Sequence, residues 1–502
     1  MKTFIDVMTE KDALTANGAV TNSTSHSANL DLFFLAGACR YESVDKIEKL
    51  LLKSYIENRL NTLKIIFWAG DIRQGAGERR FFKIALNWLQ KNHPEDIQNN
   101  LTYIPEFSRW DVLFDLSMQN ELVFSYLLAV LADKENPGHG LLCKWLPRKV
   151  YATDKKVNNG VEEFNGKRVE IKDVVRTKRL LHNGIAKKIM QRLKLTPKQY
   201  RKLLVEGTKV VEQKMCAKQW NEIEYSKVPS VAINKYNKAW YRNDEQRFKQ
   251  YLEDVKSGKS KINASTIFPH DIIKNAIRQA YHNYSVELSD AQIVQWNALP
   301  NYMGDTVNSI IPVCDVSGSM TFGNFLPLNI SVSLGLYISE RNFGPFKDAF
   351  FTFSGNPQLC YLKGNIKERI EQLTTANWGQ STNLFSVFQI MLDKATKEKL
   401  SADLMPKTVL IISDMEFNSC ANMTNFEAIK QQYAYYGYPL PQIVFWNVNG
   451  RSGNVPVTIN DDGVALISGA SPSTIKSVLT NNINPVKIML DTINKERYSV
   501  IK

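Results

Sequence analysis

The chain has 502 residues and a mass of 57.3 kDa, well beyond the roughly 100–200 residues of one ordinary domain, so two or three domains are expected. With 44% hydrophobic and 23% charged residues and a mean hydropathy of −0.28, it has globular composition, which excludes a mostly disordered chain. Lys and Arg number 63 against 50 Asp and Glu, giving a formal net charge of +13 and a pI near 9.2, and the excess is not evenly spread.

Residues 1–30, rich in Ser, Thr, Asn and Ala, read as a flexible or loosely docked N-terminal arm. They contain no apolar core of signal-peptide length, and no run of about 18 apolar residues occurs anywhere, so neither a secretory leader nor a membrane span is expected. From 31 to 300 the pattern is helical. Ile47, Leu50, Leu51, Ser54, Tyr55 and Asn58 follow the helical period, which continues through Leu63, Ile66 and Phe67. The stretch AGDIRQGAGERR breaks it, and Phe81, Ile84, Ala85, Trp88 and Leu89 resume it. Gly75 and Gly77 in that break form a lone GxG with no strand before it and no Gly-Lys-Ser/Thr after it; a helix-end turn explains them better than a phosphate loop. Further helices are predicted over 107–117, 120–133, 185–194, 197–206, 245–256, 270–281 and 287–298, with a polar loop or hairpin at 150–180. Consecutive helix pairs without an exact repeat predict an irregular, HEAT-like α-solenoid.

The charge concentrates in this half. Residues 141–260 carry 29 basic and 13 acidic residues, a net of +16, whereas 301–502 carry 16 of each. So local a surplus is a footprint for polyanions, nucleic acid first and an anionic membrane surface second, set against a solvated face that only confers solubility. Arg176, Lys178, Arg179, Lys187, Lys188, Arg192, Lys194, Lys198, Arg201 and Lys202 crowd one stretch, and over 185–206 many share a helix face. Tyr200, Trp220, Tyr225, Tyr236, Trp240 and Tyr241 interleave with Lys218, Lys227, Lys235, Lys238 and Arg242. Cations beside aromatics suit single-stranded RNA, although Trp220 and Trp240 taken singly read better as helix-packing core.

After Ala298-Leu299-Pro300 the pattern changes. Ile310–Cys314, Ala349–Phe353, Thr408–Ile412, Ile443–Trp446 and Val464–Ile467 are short apolar runs bounded by turn residues, read as strands buried on both faces. With helices around 327–340, 365–373, 383–397, 423–435 and 473–481, residues 301–502 make a doubly wound parallel sheet, and the chain a multidomain α plus α/β protein. The first strand ends in Asp315-Val316-Ser317-Gly318-Ser319, and the carboxyl ends of strands are where such folds bind ligands. Ser317 and Ser319 alternate on an extended loop, Ser381-Thr382-Asn383 opens a helix, and Asp414 closes a strand. Asp315, Ser317, Ser319, Thr382 and Asp414 are hard oxygen donors with no His or Cys among them, which suits Mg²⁺ or Mn²⁺ rather than zinc. All six histidines precede residue 301 without HExxH or paired metal spacing, and the six cysteines are scattered with no CxxC, as fits reduced thiols in a cytoplasmic compartment. No Lys or Arg stands beside the motifs, Glu416 is the one candidate base, and no nucleophile–base pair is legible; binding rather than catalysis is expected.

The DxSxS, Thr and Asp pattern, in this strand and helix order, resembles the metal-ion-dependent adhesion site of von Willebrand factor type A domains. The resemblance implies that Ser317, Ser319 and Thr382 touch the metal, that Asp315 and Asp414 hold it largely through water, and that one position stays open for a partner's carboxylate or phosphate oxygen. Most members of that family carry Gly-Thr-Asp where this chain has Ser381-Thr382-Asn383. The missing acid weakens the hold on the metal or leaves it more electrophilic. From about residue 30 onward, AGDIRQGAGERRFF, KVPSVAINKYNKAWYRNDEQRFKQYLEDV, PVCDVSGSM, WGQSTNLFSVF and LIISDMEF resemble the domain-of-unknown-function family 2828, found in plants, bacteria and many viruses. Its architecture is similar to that of the Ro (TROVE) ribonucleoproteins, which implies RNA as partner. The rivals are a metal-dependent protein adaptor and a structural component of a viral particle.

Overall fold

The structure, a computed structural model, describes residues 13–148, 161–164, 167–208, 210–264, 266–304, 309–353, 357–373, 382–420, 423–479 and 483–502. Its first half is helical: α1 (Ala28–Ala36), α2 (Val44–Glu57), α3 (Arg59–Gly70), α4 (Arg79–Asn92), shorter helices to Trp145, then α5 (Ile171–Arg192), α6 (Pro197–Gly207), α7 (Asn237–Lys256) and α8 (Pro269–Tyr281). The second half is one six-stranded sheet of β1 (Ile310–Asp315), β2 (Ala349–Phe353), β3 (Gln358–Tyr361), β4 (Thr408–Ser413), β5 (Gln442–Asn447) and β6 (Val464–Ser468). Around it lie α9 (Phe322–Arg341), α10 (Leu384–Lys397), α11 (Asn425–Tyr435) and α12 (Pro485–Ile493).

The strand order is β6-β5-β4-β1-β2-β3, parallel throughout except that β3 runs antiparallel to β2. β1, β4 and β6 are buried at every residue, as their unbroken apolar runs require of strands covered on both faces. The order reverses direction between β1 and β4. There the loops leaving the two strands diverge and open a crevice at their carboxyl ends.

Several expectations change. The arm expected at 1–30 is, over 13–27, a docked segment: Ala13–Leu14 pairs with Val20–Thr21, and Asn22 exchanges backbone hydrogen bonds with Val455. Residues 1–12 lie outside the described residues. The hairpin expected at 150–180 is present as Val161–Phe164 against Lys167–Glu170, but α5 begins at Ile171 rather than 185. The helix expected at 473–481 is a 3₁₀ turn, Pro472–Ser477, and α12 and β3 are additional. All six cysteines are free thiols, and among the described residues no helix is long and apolar enough to cross a membrane.

The two halves share one hydrophobic core, which runs from α1 through the sheet to Ile501. α1 is apolar on nearly every side, so it can only be satisfied between other elements, and it packs on α2, α3, β6 and α12. Its carboxyl end is tied to the ends of two strands. Ser468 Oγ donates to Phe33 O at 2.7 Å, Gly37 N–H donates to Ser468 Oγ at 3.1 Å, and Asn447 Nδ2 donates to Phe34 O at 3.0 Å. A Cβ on Gly37 would stand 2.8 Å from Gly469 N, so the two backbones meet only because no side chain intervenes. The GxG turn belongs to the same seam. Its Ala76 and Glu78 N–H groups are spent on Trp68 O and Ala69 O, which settles it as a helix-end turn. Just before it, Asp71 is fully buried and accepts from Arg497 Nε at 2.6 Å, Arg497 Nη2 at 2.9 Å and Tyr498 Oη at 3.1 Å. The last turn of the chain is thus clasped to the third helix.

Breaking a buried pair from one side leaves an uncompensated charge and costs about 3–5 kcal/mol. We therefore expect Arg497→Met to lose about that much in urea unfolding, with Asp71→Asn/Arg497→Met recovering part of it. A loss below about 1 kcal/mol, in the range of exposed pairs, would contradict the clasp.

Candidate metal centre and basic face

β1 delivers Asp315 to the crevice, and β4 delivers Asp414 one residue past its end. The parallel register sets Cys314 opposite Ile412, so the next residues, Asp315 and Ser413, meet: Ser413 Oγ donates to Asp315 Oδ2 at 2.5 Å. The other oxygen, Oδ1, accepts the Ser317 N–H at 2.9 Å and folds the loop back over the strand end. Ser317 Oγ and Ser319 Oγ lie 3.1 Å apart, and Ser319 also hydrogen-bonds the Asp414 carboxylate. Asp414 Oδ1 accepts from Glu416 N–H at 3.2 Å. Between them Met415 is buried in the left-handed region at φ 66°, which costs of order 1–2 kcal/mol for a side chain of this size.

Thr382 reaches the same rim through Asn418. Its N–H donates to Asn418 Oδ1 at 3.3 Å, and its carbonyl accepts Asn418 N–H at 2.7 Å. Its hydroxyl is buried and has no hydrogen-bond partner among the described residues. Asn383 caps α10 by accepting from Ser386 N–H at 3.1 Å, a task for which Asn and Asp serve alike, so the residue is well placed here for a structural reason. Ser381, with Trp378-Gly379-Gln380, lies outside the described residues.

The electrostatics follow from burial. Asp315, Ser317, Thr382 and Asp414 are almost wholly buried, and Ser319 is exposed at the rim. Burial pushes both carboxyls above the ordinary carboxylate range, and Asp414 is raised further by the charge of Asp315 beside it. Two desolvated acids, two serine hydroxyls and a buried hydroxyl without a partner are a donor set for a hard divalent cation. Among the described residues no group of three or more His, Cys, Asp or Glu forms a metal cluster; three of the five donors here are hydroxyls. Glu416 is not free to act as a base. Arg451 Nε holds it at 2.7 Å and Ala16 N–H donates to it at 2.5 Å.

Sequence reasoning missed three contributors. Ser413 orients Asp315, and only its place beside Asp414 hinted at it. Tyr41 and Arg278 come from the helical half: Tyr41 Oη donates to Gly323 O at 3.4 Å, and Arg278 Nη2 donates to Asn324 O. A guanidinium therefore does stand near the DxSxS loop, brought by tertiary folding.

The basic residues fall on α5, α6 and α7, with Lys194 in the link between α5 and α6 and Lys235 ending the short helix Ser230–Lys235. Lys178, Lys187, Arg192, Lys194, Lys198, Arg201, Lys202, Lys235, Lys238 and Arg242 are exposed, while Arg179 and Lys188 are half-buried. The side chain of Arg176 lies outside the described residues. Lys188 and Arg192 are partly spent on Glu121, and Lys188 also sits 4.0 Å over the Phe124 ring. The stacking reading of the aromatics is corrected, while the core expected for Trp220 and Trp240 is what the fold shows. Tyr225, Trp240, Phe248 and Tyr251 form a second, separate core with Trp220, Tyr236 and Tyr241 packed against it, and buried Tyr200 donates to Pro147 O at 3.0 Å. Burial won because these rings pack edge-to-face on one another, as Trp220 and Tyr225 do on Trp240 at 5.8 and 5.5 Å.

Comparison with known proteins places this geometry. The family model for the domain of unknown function DUF2828 matches residues 15–109 and 126–306, and that for DUF7788 matches 309–497, beginning one residue before β1. An uncharacterized protein of Acanthamoeba polyphaga mimivirus is 28% identical over 533 aligned residues, which cover 96% of this chain and 87% of that protein. With its family model matching more than half of the chain, the protein belongs to the domain-of-unknown-function family DUF2828.

Proposed function

We propose that the protein is a non-enzymatic RNA-binding protein in which a TROVE-like helical scaffold offers a basic face and a von Willebrand factor type A domain holds Mg²⁺ or Mn²⁺. The observations that carry the metal half are the buried, unpartnered hydroxyl of Thr382, whose backbone is bonded to Asn418 four residues past Asp414, and the two carboxyls at the strand-order switch that burial makes reluctant to ionise. The strand order, with a single antiparallel edge strand, supports the same domain type. Ser317, Ser319 and Thr382 would hold the cation, with Asp315 and Asp414 behind them. A bound cation would supply an electrophilic site for an anionic oxygen.

The RNA half rests on the exposed cations of α5 and α6. Since the aromatics beside them are buried, this face would work through phosphate neutralisation rather than base stacking, and its affinity must then fall steeply with salt. One observation favours a second reading. A face without stacking residues has no means of choosing RNA, and a metal site alone suits a protein adaptor that captures a partner's carboxylate.

Thermal unfolding tests the metal. Saturating Mg²⁺ or Mn²⁺ should raise the Tm by about 2–3 °C over the chelated protein, from mass action at roughly a hundred times Kd on a unit of this size. Thr382→Val removes a hydroxyl that bonds nothing in the fold, so it should leave the metal-free Tm unchanged and remove most of the rise. Asp414→Asn should raise the metal-free Tm by a few degrees, because a desolvated charge is lost. Equal responses in wild type and Thr382→Val would refute the assignment.

The RNA half is tested by filter binding across 50–200 mM salt. We expect an affinity loss of about 10³-fold if six phosphates are engaged, and a shallower slope in Lys187→Ala/Lys198→Ala/Arg201→Ala. No binding at low salt would leave the adaptor reading standing.

A further inference from the structure

Beside the metal centre stands an aromatic side chain that the fold does not use. Phe322 ends the 3₁₀ turn Gly318–Thr321, and its N–H donates to Ser319 O. One 3₁₀ turn separates it from Ser319, a spacing at which side chains eclipse, so ring and hydroxyl share a side of the loop. The ring is 51% exposed. It is nonetheless held in place. Tyr41 packs edge-on against it at 4.8 Å and 76°, and Tyr41 Oη also donates to the next residue's carbonyl, Gly323 O.

The backbone beyond is bent to keep it there. Gly323, Asn324 and Phe325 are all left-handed, with φ of 58°, 64° and 64°. At Gly323 a Cβ would fall 1.7 Å from Tyr41 Oη, so glycine is the residue this contact permits. Arg278 closes the other side, donating to Asn324 O while its Nε finds no partner among the described residues. An exposed aromatic ring and the Ser319 hydroxyl therefore stand on one short turn, and a guanidinium with an unsatisfied N–H reaches the same segment from α8.

We propose that Phe322, backed by Tyr41, is a stacking platform for the base of a nucleotide whose phosphate reaches the metal centre, so that the site takes a phosphorylated RNA end. This rests on the metal reading above. A nucleotide fits better than a peptide because it couples a planar ring to a phosphate at short range, which matches an exposed ring one turn from the Ser319 hydroxyl. The platform also supplies what the basic face lacks, a surface on which a base can stack.

Calorimetric titration of the Mn²⁺-loaded protein with adenosine 5′-monophosphate and with ribose 5-phosphate separates the two components. We expect the nucleotide to bind about tenfold tighter than the sugar phosphate, a gap erased in Phe322→Ala and kept in Phe322→Tyr. Phe322→Ala should keep the wild-type Tm and Mn²⁺ affinity. Equal affinity for the two ligands, with Mn²⁺ still bound, overturns the platform and leaves the metal centre intact. Failure to bind Mn²⁺ at all overturns both. An acidic aromatic peptide that binds through Phe322 while the nucleotide does not would overturn the nucleotide in favour of a protein occupant.

Discussion

Asp315 and Asp414 are two carboxyls buried side by side at the only place in the sheet where strand order reverses, and the molecule is built around that juxtaposition. Neither acid has a cationic side chain as its direct partner among the hydrogen bonds described. Instead Asp315 is held by Ser317 N–H and Ser413 Oγ, and Asp414 by Glu416 N–H and Ser319. These neutral donors orient the carboxyls without cancelling their charge, and burial keeps both above their ordinary range. The one carboxylate nearby with a permanent counter-charge is Glu416, which Arg451 takes out of play. Under the proposed reading, a cation entering the crevice would meet two carboxyls whose charge nothing else cancels.

The second theme is that the helical and α/β halves are one packed body. α1 is nailed to the ends of β5 and β6, Asp71 clasps Arg497 and Tyr498, and the segment 13–22 runs along the far loops. The crevice therefore has walls from both halves: Ala16 reaches Glu416, Tyr41 reaches Gly323, and Arg278 reaches Asn324. Segments more than 250 positions apart in the chain thus meet around this part of the sheet.

Much of this was legible in the sequence because its signals are local. Buried parallel strands need unbroken apolar runs, and Thr408–Ser413 or Gln442–Asn447 could be found by that alone; DVSGSM declared its site by spacing. What escaped depends on tertiary contact. β3 is a four-residue edge strand mostly exposed, too short to show an alternating pattern. α1 follows a polar stretch and is apolar all round, so it shows no helical stripe. Of the interleaved aromatics of 220–241, Trp220 and Trp240 already read better as core, but the tyrosines suited base stacking too, and only the fold shows that they close a second core. Ser413, Tyr41 and Arg278 carried no motif at all.

The central claim is that Ser317, Ser319 and Thr382 converge on a cation. A crystal of the protein soaked in Mn²⁺ and measured on the low-energy side and at the manganese absorption edge tests it most directly. The account predicts one anomalous peak within bonding reach of those three hydroxyl oxygens, with Asp315 and Asp414 behind it. A site with no anomalous signal, and with the Thr382 hydroxyl hydrogen-bonded to protein or water instead, would contradict it.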